Sequence, residues 1–234
     1  MARLNQLKTD LKKLASPRRA KISQRFFKTG SGQYGAGDIF WGLTNPQQRQ
    51  VAKTYSTLSL PEIQALLKSK IHEQRQTALM ILTNQYPKAD QKSREKIFRF
   101  YLGQTKNINN WDLVDLSAPR IVGQHLLNKP RAILYRLARS KNLWPRRIAI
   151  VATYSFIKKG ELTDTFKIAK LLLNDKYDLI HKATGWMLRE AGKIDQKAEE
   201  KFLRQYHRQM PRTMLRYAIE KFAEAKRQKY LKGI

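Results

Sequence analysis

Cysteine is absent from this chain of 234 residues, which excludes disulfides and thiolate metal sites and leaves the redox compartment open. Carboxylates are scarce: 18 Asp and Glu stand against 47 Lys and Arg, a formal charge of +29. Histidine is sparse too. His72, His125, His181 and His207 are scattered, show no metal-ligand spacing such as HExxH, and read as surface or packing residues. No stretch approaches the roughly 20 apolar residues of a membrane span. The opening Met1-Ala2-Arg3-Leu4-Asn5 lacks the apolar run of a secretory signal, so a soluble, intracellular protein is expected. Period-2 alternation is missing throughout, which predicts no sheet. Gly30 to Gly35 spells GxGxxG without a preceding strand or βαβ context, so dinucleotide binding is set aside, and a Walker-type phosphate loop is absent. No Ser-His-Asp arrangement is readable. Ser117 stands two residues from Asp115 and so points to another side of the same helix.

What is present is charge, helix and a few well-placed aromatics. The apolar fraction of 41% is enough for a core despite the charge. Basic residues run along the whole chain instead of gathering in a tail. That distribution favours a polyanion, bound through phosphates by counterion release, a term that carries no sequence information.

Helical spacing dominates. Leu4, Leu7, Leu11 and Leu14 mark a first helix over 3–14. Ser16-Pro17 starts a second, ending near Thr29, and four glycines in Gly30 to Gly37 make the one clear loop. Asn45-Pro46 reads as a helix start with Asn as cap and Pro at the first helical position, and Leu60-Pro61 repeats the signal. Further helices are predicted at 72–85, 89–102, 109–117, 120–128, 130–140, 145–158, 164–174, 177–192, 196–209 and 212–230. Thr163 and Ile194-Asp195 read as cap regions.

A weak internal repeat runs through these helices. Arg75-Gln76-Thr77-Ala78-Leu79, Arg146-Arg147-Ile148-Ala149-Ile150 and His181-Lys182-Ala183-Thr184 each lie near a helix start, and the anchors Gln76, Trp111, Arg147, Lys182 and Arg216 are 35, 36, 35 and 34 residues apart. That period predicts an all-α superhelical solenoid of HEAT-like helix pairs, one domain over 1–234, with a concave basic face lined by the anchors. An irregular helical bundle is the alternative.

Two helices carry the candidate chemistry. Trp111 and Asp115 are i and i+4 neighbours in Asn110-Trp111-Asp112-Leu113-Val114-Asp115, which sets a scarce carboxylate beside an indole. Asp112 falls in the first turn, where the helix dipole favours it and a structural role suffices. Asp115 gains less there and is the better candidate for chemistry, with a salt bridge as the plain alternative. Lys182, Trp186, Arg189 and Lys193 share one face of the second helix, while Ile180, Thr184, Met187 and Ala191 form its core stripe. Trp186 among cations reads either as a ring on a nucleic-acid surface or as a core-edge residue with snorkelling neighbours.

Four segments carry a family resemblance: Phe40-Trp41-Gly42-Leu43-Thr44-Asn45-Pro46, Asn110 to Asp115, Asn142-Leu143-Trp144-Pro145-Arg146-Arg147, and Gly185-Trp186-Met187-Leu188-Arg189-Glu190. Together and in this order, over roughly residues 20–220, they resemble the bacterial AlkD-like alkylpurine DNA glycosylases of HEAT-like repeats. The Gly30–Gly37 loop departs from that pattern in being longer than in some members. The resemblance implies a catalytic carboxylate at Asp115, sugar-contacting indoles at Trp111 and Trp186, and a DNA contact at Arg147; Lys182, Arg189, Asn45 and Arg49 are further DNA-binding candidates. It implies hydrolysis of the N-glycosidic bond of N3- or N7-alkylated purines in duplex DNA, a lesion that stays stacked, no metal or cofactor, and a bacterial-type cytoplasmic monomer. The rival expectations are a non-catalytic helical-repeat nucleic-acid binder and a protein-binding scaffold, which so basic a surface would restrict to a very acidic partner.

Overall fold

The computed structural model describes residues 2–233, and among them the chain is helical with no strand. The only β-type pairing described is an isolated parallel bridge between Ile39 and Ile71. The chain divides into two compact units, Met1–Ser117 and Ala118–Ile234.

The first unit holds α1 (Ala2–Lys13), α2 (Pro17–Phe26), α3 (Asn45–Thr54), α4 (Leu60–Leu67), α5 (His72–Gln85), α6 (Gln91–Gly103) and all but the last residue of α7 (Trp111–Ala118). Its centre is α5, buried from His72 to Thr83 on every face, with α1, α3 and α4 packed around it. Leu4, Leu7 and Leu11 of α1 are buried as their spacing predicts. By contrast α2 buries nothing and leaves Ile22 and Phe26 exposed. The start of α3 differs from its sequence reading by one residue. Thr44 is the cap, closing a reciprocal box with Gln47, and Asn45 and Pro46 are the first two helical residues.

The second unit holds α8 (Ala132–Ala138), α9 (Leu143–Ala152), α10 (Tyr154–Ile157), α11 (Thr163–Leu171), α12 (Asp178–Gly192), α13 (Gln196–Tyr206), α14 (Arg212–Ala218) and α15 (Glu224–Lys232). Here α12 is the hub, packed on α9, α11, α13 and α14. Ile180, Thr184, Met187 and Ala191 are fully buried, as the stripe predicts. Gly185 sets the closest approach: a Cβ there would lie 2.4 Å from the Met214 carbonyl oxygen. The Asp195 cap is found, accepting from the Ala198 N–H, whereas α11 starts at Thr163 with Leu162 as its cap.

Three predicted helices come out differently. The helix expected over 120–128 is a π-helical turn, Pro119–Gly123, directly following α7. Pro119 has no N–H to donate and its ring displaces the usual i−4 partner, which favours the wider turn. The helix expected over 145–158 breaks at Thr153, whose hydroxyl donates back to the Ile150 carbonyl. The last, expected over 212–230, is α14, a 3₁₀ turn at Ile219–Lys221, and α15.

The repeat seen in sequence has a local counterpart. Gln76, Arg147, Lys182 and Arg216 are each the fifth residue of their helix. Trp111 opens α7 instead, and the fifth residue of that helix is Asp115. The residue before three of these anchors also recurs in its bonding. Arg75 donates to the carbonyl of Ser69 at 3.0 Å, Arg146 to that of Ser140 at 2.7 Å, and a ring nitrogen of His181 meets that of Asp175, in each case six residues back.

Candidate nucleic-acid site

In the first unit α7 is positioned from its N-terminus. Asn110 is fully buried; its side-chain oxygen accepts the Trp111 N–H at 2.8 Å and its amide nitrogen faces Asp38 at 3.4 Å. Asp112 accepts from His72 at 2.7 Å and from Gln76 at 3.1 Å. Leu113 and Val114 turn into the core. The Trp111 indole is half-buried, stacks on Phe27 at 5.3 Å, and donates to the Tyr34 hydroxyl at 3.2 Å. Phe26, largely exposed, meets it edge-on at 5.9 Å. One turn along α7 lies Asp115, half-buried, its charge felt at the buried Tyr101 phenol.

The Phe40–Pro46 segment is tied to this region by one carboxylate. Glu73, buried on α5, accepts the backbone N–H groups of Trp41, Gly42 and Leu43 at 3.0, 2.7 and 3.3 Å. Gly42 has φ +80°, and a Cβ there would meet the Ser16 carbonyl and the Ala20 nitrogen at 2.4 Å, so only glycine lets the segment lie against the start of α2. Asn45 and Arg49 are exposed on α3.

In the second unit Asn142 caps α9, accepting the Trp144 N–H at 2.9 Å. Arg147 is buried, 4% exposed, and donates to the Leu179 carbonyl of α12. Arg146 binds Asp175 through both its Nε (2.5 Å) and an Nη (3.2 Å). On α12, Trp186 is half-buried with Tyr154 of α10 at 6.1 Å, and Lys158 lies 5.3 Å over that tyrosine ring. Lys182 is paired with Asp178 at 2.7 Å, and Arg189 with Glu190 and Glu220. Lys193 and Arg189 hold the Glu190 carboxyl below its ordinary range against the opposing effect of burial. The sequence candidates therefore fall into two groups: Trp111, Asp115, Asn45 and Arg49 in the first unit, and Arg147, Lys182, Trp186 and Arg189 in the second.

The residue that sequence reading missed is His72. It is buried, with Nδ1 at 3.2 Å from Asp38 and Nε2 at 2.7 Å from Asp112, and Arg75 completes the group at 2.7 Å from Asp38. Burial works against its charge, but Asp112 and then Asp38 outweigh it and raise the pKa to about 9. Its partners stand 34 and 40 residues away, so only the fold brings them together. Among the described residues no cluster of three or more His, Asp or Glu is disposed to hold a metal ion, and no helix is long and apolar enough to cross a membrane.

The family described as DNA alkylation repair enzyme matches residues 7–222. Among solved structures, a predicted DNA alkylation repair enzyme from Enterococcus faecalis shares the fold, with a TM-score of 0.73 at 17% identity over 90% of this chain and 97% of that one. No curated protein sequence matches.

Proposed function

The chain belongs to the DNA alkylation repair enzyme family, and from that membership we propose that it is a monofunctional DNA glycosylase releasing N3- and N7-alkylated purines from duplex DNA. The observation that carries the proposal is the pairing on α7: a half-buried carboxylate, Asp115, one helical turn from a half-buried indole, Trp111, in a chain of charge +29.

The chemistry suits that pair. Alkylation at N3 or N7 makes the purine cationic. When the C1′–N bond breaks, its electron pair returns to the ring and the base leaves neutral, so a general acid contributes little. What needs stabilising is an oxocarbenium-like sugar and the water that attacks C1′. Asp115 would do both, its negative charge facing the developing cation and its oxygen taking the water's proton, so the carboxylate pair usual in glycoside hydrolysis is not required. The products are a neutral alkylpurine and an abasic site. Trp111, and Trp186 in the second unit, would favour cationic groups through their ring faces, worth roughly 0.5–2 kcal/mol each. Arg147, Lys182, Arg189, Asn45 and Arg49 are proposed as backbone contacts that fix register without reading sequence. For Lys182 and Arg189 this means exchanging Asp178, Glu190 and Glu220 for phosphate, and for Arg147, buried against the Leu179 carbonyl, it means uncovering the guanidinium. The protein would act as a monomer in a bacterial-type cytoplasm, without metal or cofactor.

The test is base release from a duplex carrying a single N7-methylguanine. Wild type should release the base. Asp115→Asn should lose most of that activity and keep its affinity for DNA. Tight binding with no release by either protein would leave a non-catalytic helical-repeat binder.

A further inference from the structure

We propose that His72 is a positioning residue for this activity: its imidazolium bridges Asp38 and Asp112, fixes the N-terminal turn of α7, and so sets the orientation in which the Trp111 ring meets DNA. The proposal rests on the glycosylase reading for its effect on rate, but its structural half stands apart from it.

The geometry favours a cation at this position. Both ring nitrogens face a carboxylate oxygen, at 3.2 Å and 2.7 Å. A neutral imidazole with its N–H toward Asp112 would accept from Arg75 Nη2 at 3.4 Å, but its Nδ1 lone pair would then also face the nearer Asp38 oxygen at 3.2 Å; the doubly protonated ring is the state that donates to both carboxylates. The local charges then cancel, with Asp38 and Asp112 against His72 and Arg75. Those are the charged groups that bear on the ring: Asp38 from the loop before α3, Arg75 from its own helix, and Asp112 from α7.

The bridge reaches Trp111 by two routes. Through the backbone, both neighbours of Trp111 are anchored to it, Asp112 directly and Asn110 by way of Asp38. Through the side chains, the rings form a continuous stack. His72 lies 4.5 Å from Phe40 at 22°, Phe40 lies 4.9 Å from Phe27 at 15°, and Phe27 lies 5.3 Å from Trp111 at 20°. Phe27 also meets His72 directly, at 5.1 Å and 34°, so a single ring separates His72 from the indole. If it loses its proton, the carboxylates regain their repulsion and the Asn110–Asp112 turn loses its tether.

The experiment uses the full-length protein labelled with 5-fluorotryptophan, the Trp111 resonance being assigned by its loss in Trp111→Phe. In wild type that resonance should move with pH, with a midpoint near 9. In His72→Gln it should be displaced at neutral pH and no longer follow that titration, and Asp112→Asn should displace it in the same sense. Single-turnover release of N7-methylguanine by His72→Gln should fall on the order of 10–100-fold, the scale of a misplaced binding group, while the Kd for undamaged duplex changes less than about threefold. A Trp111 resonance indifferent both to pH and to His72→Gln would overturn the proposal, as would lost release with that resonance unmoved. If His72→Gln does not fold, the wild-type titration and Asp112→Asn decide the matter alone. Absence of base release by wild type would count against the glycosylase reading and leave the fluorine result to judge His72.

Discussion

Arg75 and Arg146 do the same thing in different helices. Each is the fourth residue of its helix, each donates to the carbonyl six residues back, and each closes on an aspartate, Asp38 and Asp175 respectively. A guanidinium suits the task because its planar fork can engage a carbonyl and a carboxylate at once. The residues after them, Gln76 and Arg147, bond the second residue of a later helix, Asp112 of α7 and Leu179 of α12. The repeat is therefore one of bonding as well as of spacing.

The second of these arginines should dominate local stability. Asp175 is 4% exposed in its side chain and meets Arg146 at 2.5 Å. Arg146→Ala would leave that carboxylate buried with its strongest partner gone, a loss of about 3–5 kcal/mol. Urea denaturation should show a lower midpoint, with Arg146→Lys falling between the two because lysine offers a point charge in place of the fork.

Gly185→Ala should separate α12 from α14. The added methyl would lie 2.4 Å from the Met214 carbonyl oxygen and 2.6 Å from the Tyr217 Cβ, both in well-packed surroundings. A cost of about 1–3 kcal/mol is expected. Gly103→Ala is the control, since nothing lies within 4 Å of its added methyl, and it should be neutral or slightly stabilising. Thermal melts of the two variants side by side make the comparison.

Glu199 makes stability depend on pH. Burial raises its folded pKa to about 8, one carboxyl oxygen has no hydrogen-bond partner, and the other lies against Gly192. Between the ordinary glutamate range near 4.5 and about 8 the folded chain holds a proton that the unfolded chain has released, so this residue's contribution falls as pH rises across that window and is level above it. Glu199→Gln carries no such cost. Its stability relative to wild type should grow from pH 5 to pH 8, reaching roughly 2–4 kcal/mol, and denaturation at the two pH values checks the slope. An equal difference at both would show that Glu199 ionises freely in the fold.

Trp186→Ala should weaken excision of cationic lesions more than it weakens binding to undamaged DNA. The expected loss in release is about 3–30-fold, from a cation–π contribution of roughly 0.5–2 kcal/mol. Equal losses in release and in binding would make the indole a general DNA contact.

Much of this was legible in the chain. The α5 boundaries, the buried stripe of α12, the Gly30–Gly37 loop and the Asp195 cap follow from local rules of spacing, capping and glycine content, and those rules held. The place of Asp112 in the first turn predicts a structural role, and it has one, though through His72 and Gln76 as well as the dipole. What escaped was whatever depends on distant partners. His72 looks like an isolated histidine until Asp38 and Asp112 are folded onto it. Asn45 looks like a cap until Thr44 and Gln47 are seen to close the box. The stretch after Pro119 keeps an apolar content that reads as a new helix, because periodicity does not register a single wide turn. The spacing that selected Trp111 as a repeat anchor also hid the phase: counted from the helix start, the equivalent position is Asp115.

Glu73 has a further consequence for a protein this basic. Three consecutive backbone N–H groups converging on one point make a cup that takes an anion by default. Here the chain supplies that anion from its own α5. With the cup already filled, a DNA phosphate drifting over the Trp41–Leu43 turn finds no vacant amide cradle there, and the turn is held by the chain's own carboxylate in place of a ligand.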